Sequence, residues 1–172
     1  MKNWMLGAST LVAAGLVTFA AQTAFASTGP FSTEVASQVV VPTHTSVVHF
    51  ETATVMIPAG TFTTPVRFSV WQGPLDGFNV PSGQKAIFDF KFMVTTLNGS
   101  AVALPFTKTV LFSLHDPQVT AASGYYNVVS SGDSLSLVSN PLTLTINGAR
   151  LTHRIGTDAV GWVVTAPAMG GR

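Results

Sequence analysis

After residue 34 the apolar positions of this chain recur at every second residue, in short runs separated by turn residues. The stretch AIFDFKFMV, residues 86–94, is the plainest case. Phe88, Phe90 and Phe92 fall on one side of an extended strand and Asp89 and Lys91 on the other. That alternation predicts one buried face and one wet face, the antiparallel pattern. The same reading predicts strands at Val35–Val41, Ser46–Phe50, Ala53–Ile57, Val66–Trp71, Ala86–Thr95, Thr109–Leu114, Tyr125–Ser130, Leu135–Ser139, Leu142–Ile146, Arg150–Arg154 and Val160–Thr165. Asn98-Gly99 and Asn147-Gly148 are hairpin signals, both central residues being suited to positive φ. Ser130–Ser134 reads as a further turn, and Pro81-Ser82-Gly83 and Asn140-Pro141 interrupt strands. Many short strands with no sustained helical period predict an all-β fold, an antiparallel β-sandwich.

The first 26 residues follow a different pattern. Lys2 precedes the apolar run Met5–Ala21, and Ala24-Phe25-Ala26 is a small-residue processing site. This predicts a secretory signal peptide cleaved after Ala26, with an uncleaved anchor as the alternative. The expected organisation is then a signal peptide at 1–26, an N-terminal strand segment at 27–50, a sandwich domain at 51–166 and a tail at 167–172. Within the second segment Pro42 splits two apolar runs, and proline cannot donate to a ladder. The chain is expected to cross from one sheet to the other there. In the sharper alternative, Phe31–Val41 is a donor strand completing a neighbour's sheet, with Phe31, Val35, Val39 and Val41 as its contact residues.

Charge narrows the class. The chain has 8 basic and 7 acidic side chains, and loss of Lys2 with the leader brings the balance to zero. No basic stripe is present, so nucleic acid is not an expected partner. Low charge near neutrality promotes association and, in an exported protein, points to assembly or a fixed position in a wall or matrix, with an ordinary neutral domain as the alternative. Cysteine is absent, which excludes thiolate catalysis, zinc–cysteine sites and disulfides, and leaves the core alone to hold the domain.

The polar residues make no recognisable catalytic or metal constellation. His44 and His49 lie on opposite sides of any continuous strand, His115 adjoins Asp116, and His153 stands alone. There is no G-x-S-x-G elbow, the acids are scattered singly, and no calcium loop is present. No catalytic residue, metal or cofactor is therefore expected. Trp71 and Trp162 read as core. Tyr125 and Tyr126 are adjacent, so one of them faces outward as a candidate contact for a protein partner or a cell-wall glycan.

Four segments carry a family resemblance. VMIPAGTFTTPVRFSVWQG resembles the opening of ZU5-type β-sandwich modules, in which an apolar strand runs into Ile-Pro-Ala-Gly and a second apolar strand follows. PFTKTVLFSLHDP, SGYYNVVSSGDSLSLV and INGARLTHRIGTDAVGWVVT resemble the later strands and closing pair of bacterial ZU5-like surface domains, over about residues 55–165. The resemblance implies a sandwich of ZU5-like or Ig-like kind and a non-enzymatic role in protein–protein contact. Some such domains cleave themselves at His-Phe-Ser. Here His153 is followed by Arg154 and Ile155, so that activity is not carried over. The expectation is a secreted, non-catalytic module for interaction or assembly at a cell surface, binding a protein partner or itself and no membrane once the leader is cut. The alternative is a carbohydrate-binding module using exposed aromatics.

Overall fold

The computed structural model describes residues 30–102, 106–131, 134–156 and 160–168. The expected signal peptide, the tip of the Ser130–Ser134 turn and the last four residues of the tail lie outside them.

The fold is an antiparallel β-sandwich of two sheets. Its strands are β1 (Thr33–Val40), β2 (Ser46–Phe50), β3 (Ala53–Ile57), β4 (Val66–Gln72), β5 (Gln84–Thr96), β6 (Val110–His115), β7 (Gly124–Ser131), β8 (Ser134–Ser139), β9 (Thr145–Asn147), β10 (Arg150–Ile155) and β11 (Gly161–Pro167). One sheet has six strands in the order β1-β4-β5-β11-β7-β8, the other five in the order β2-β3-β6-β10-β9. The crossing expected at Pro42 is observed: β1 pairs with β4 in one sheet, and β2 pairs with β3 in the other. Residues 30–50 thus supply an edge strand to each sheet.

β5 is 13 residues long and serves two sets of neighbours. Its first half, Gln84–Phe90, pairs with β11, and its second half, Lys91–Thr96, pairs with β4. The six-stranded sheet is therefore two three- or four-strand ribbons that share one spine.

The core lies where the alternation placed it. Phe88, Phe90, Phe92 and Val94 of β5 point inward toward Phe112 and Leu114 of β6. Phe90 stacks on Phe112 at 4.2 Å between centroids and on Trp162 at 5.1 Å. Phe50 reaches the same group from β2, 5.8 Å from Phe88. Each such ring contributes about 1.5–3 kcal/mol by leaving water, and a Cys-free domain depends on that contribution.

The outer face of the six-stranded sheet departs from expectation. It is not wet. Phe31 and Phe78 fold over it and bury Val128 and Val163, with Trp71, Val80, Ala86 and Leu137 around them. Phe31 comes from the chain ahead of β1 and Phe78 from the β4–β5 connection, which contains a short 3-10 turn at Leu75–Gly77. Two glycines make room. A Cβ on Gly161 would overlap the Phe31 ring, and one on Gly73 would overlap the Pro30 carbonyl. Asp89, expected to be solvated, is 2 % exposed beneath this cover.

The hairpin turns also differ in detail. Gly99 and Gly148 have φ of 90° and 58°, while Asn98 and Asn147 are not left-handed. Asn147 pairs with Arg150, leaving Gly148-Ala149 as a two-residue turn with positive φ at the first position only.

Candidate functional site

The six residues expected to make contacts divide by burial. Phe31 and Tyr125 are almost wholly inside the molecule. Phe31 serves its own sheet, and β1 is hydrogen-bonded to β4 of the same chain. Val35 is half-buried beside a register shift between Glu34 and Ala36, and Tyr126 is half-buried on the outer face of β7. Only Val39, 45 % exposed, and Val41 stand in solvent. In this fold Phe31 and Tyr125 are packing residues, because each supplies a large ring to an otherwise unfilled layer.

Tyr125 meets a partner that the sequence did not suggest. Its ring lies flat on His153 across the two sheets, with centroids 4.0 Å apart and an interplanar angle of 9°. His153 is opposite Phe112 in the β10–β6 ladder and so points into the core. Neither the Tyr125 hydroxyl nor either His153 ring nitrogen has a hydrogen-bond partner of normal geometry. Burial holds the Tyr125 pKa well above its ordinary value. Burial lowers that of His153, opposed in part by the nearby backbone of Asn140, Leu142 and Arg154.

Asp89 is the other buried ionisable group. Its Oδ2 accepts a hydrogen bond from the Gly73 N–H at 2.8 Å, where β4 ends against β5. Desolvation raises its pKa from 3.8 to about 6, against the lowering effect of the Gly73 bond. Asp89 lies on the outer face of the six-stranded sheet, paired with Val163, whereas His153 belongs to the five-stranded sheet and stacks on Tyr125 between the two sheets, so they form no common site. Among the described residues no group of three His, Asp or Glu side chains could hold a metal ion.

What the surface does present is strand edges. The six-stranded sheet ends at β1 and β8, the five-stranded sheet at β2 and β9. Unpaired edges offer a row of main-chain donors and acceptors, and proteins blunt them with charge, bulges or brevity. β1 has Glu34 and a bulge. β2 has five residues and runs into Glu51, and β9 has three residues next to Arg150. Within β8 there is neither charge nor bulge: SLSLVS is uncharged, free of proline and paired to β7 in unbroken register.

Exposed apolar side chains gather at the same edge. Leu135 is 38 %, Val138 50 % and Leu142 76 % exposed. Leu135 and Leu137 lie on the outer face, where Leu137 pairs with Val128 and joins its cluster. Val138 pairs with Asn127 and lies on the inner face, left open because β9 opposite is so short. The sequence predicted this strand but not its significance. The readable signal was six residues without a charge or a proline between two turns.

No known family model matches this chain, and a search of curated proteins finds no match.

Proposed function

We propose that this protein is a non-catalytic module for protein–protein interaction, secreted and acting in an assembly outside the cell or at its surface, with a ZU5-like sandwich as its scaffold. The observation that carries this reading is the open edge of the six-stranded sheet at β8, with Leu135 and Val138 exposed beside it. An open edge binds extended chain through main-chain hydrogen bonds, and flanking apolar side chains set its register. The near balance of charge suits close association with like or unlike protein surfaces. The aromatic platform of a sugar-binding module has less support. Among the described residues no Phe, Tyr or Trp ring is fully exposed, and Trp71 and Tyr126 are half-buried.

Two experiments test the reading. N-terminal sequencing of the exported protein should begin at Ser27; an intact Met1 would replace the cleaved leader by the uncleaved anchor. Negative-stain microscopy and chromatography of material taken from the native surface should show the protein within a larger proteinaceous assembly. A free monomer that instead binds a glycan array, and loses that binding in Tyr126→Ala, would replace the reading with the carbohydrate one.

A further inference from the structure

We infer that β8 is a self-association edge, and that its occupant is β8 of a second copy of this chain, paired antiparallel about a twofold axis. The inference rests on the assembly reading above and adds the partner and the place.

The hydrogen-bonding direction of β8 follows from one contact. Asn140 N–H donates to the Tyr125 carbonyl at 2.8 Å, so in the regular ladder Val138 and Ser136 also face β7. By alternation the main-chain groups of Leu135, Leu137 and Ser139 face away from the sheet. They are the polar groups an added strand would satisfy.

Three features favour a second copy over an unrelated extended peptide. β8 carries no charge, so self-pairing sets no like charges against each other. A twofold axis through Ser136 places Leu135 and Leu137 opposite the partner's Leu137 and Leu135. The outer-face cluster that already includes Leu137 then continues from one copy into the other. The third feature is the open inner layer. A lone peptide strand would pair the edge yet leave Val138 in water. A second sandwich brings its own short β9 and its own Val138, so both layers are extended at once. Of the other edges, β1 carries Glu34 and a bulge and β9 has only three residues, while β2 is uncharged like β8 but a residue shorter.

The absence of native cysteine makes a direct test possible. A twofold axis at Ser136 makes that residue a non-hydrogen-bonded pair with its counterpart, at roughly 4.5 Å between Cα atoms, within the range a disulfide spans. Purified Ser136→Cys protein should form a covalent dimer under mild oxidation, and Val39→Cys, on the exposed edge of β1, should not. Light scattering should show the unmodified protein doubling in mass with concentration. Leu135→Lys combined with Val138→Lys should weaken the dimer at least about tenfold, with an unchanged thermal transition as the control for folding. Cross-linking by Val39→Cys and not by Ser136→Cys would overturn the assignment to β8 while leaving association itself standing. A protein that stays monomeric at every concentration, with neither variant cross-linking, would overturn self-pairing altogether. An assembly with other proteins, seen on the native surface, would then still uphold the broader reading.

Discussion

Asp89 and His153 are both buried, yet acid acts on them in opposite directions. Asp89 has a raised pKa, so the fold favours its neutral form. Its contribution to stability is fully present below 3.8 and is lost as pH rises through about 6. The difference is worth up to roughly 3 kcal/mol. Asp89→Asn should therefore melt higher than the parent at pH 7 and match it near pH 4, as denaturant titrations across that range would show. His153 has a lowered pKa, so its contribution is present above 6.5 and is lost as pH falls through the folded value. His153→Phe keeps a ring against Tyr125 and should flatten that acid loss. Tyr125→Phe removes an unpaired buried hydroxyl and should change stability at pH 7 by no more than about 1 kcal/mol, in the stabilising direction. Neither residue's surroundings could be read from the chain. Asp89 alternates with phenylalanines just as a solvent-facing residue would. Alternation separates the two faces of a strand but does not say what a distant segment lays over them.

At the scale of elements, all eleven strands of the described residues correspond to predicted ones, because each is bounded by local turn chemistry and carries its own period. The largest displacement is β9, predicted from Leu142 and observed from Thr145. Thr143 takes φ of 61° and its hydroxyl bonds the Arg154 carbonyl at 3.2 Å, so a turn occupies the start of that run. The N-terminal cover is a different case. It depends on Phe31 meeting Gly161, residues brought together only by the completed sheet. Phe31→Ala should cost about 3–5 kcal/mol and Gly161→Ala about 1–3 kcal/mol, the first by leaving a cavity and the second by overlap. Because the overlap vanishes once the ring is gone, the double variant should cost less than the two single changes added. Equal additivity in urea melts would show that the ring and the glycine do not meet. The open character of β8 was half legible. Its lack of charge is in the sequence, whereas the exposure of Val138 depends on how short β9 turns out to be.

For the whole molecule, the feature of most consequence is β5. Its 13 residues are the only main-chain ladder joining the β1–β4 ribbon to the β11–β7–β8 ribbon among the described residues. Outside β5, the six-stranded sheet is bridged by Phe31, which lies over β11 just before the chain enters β1. Amide exchange should thus divide the sheet into two protection classes, with β1 and β4 opening before β11 and β7. Uniform protection across all six strands would show a single cooperative unit. Mechanically, the sheet behaves as two leaves on a common binding, with an aromatic clasp near the middle of its length. Loosening the clasp should free one leaf to swing while the other, which carries the outward edge at β8, keeps its shape.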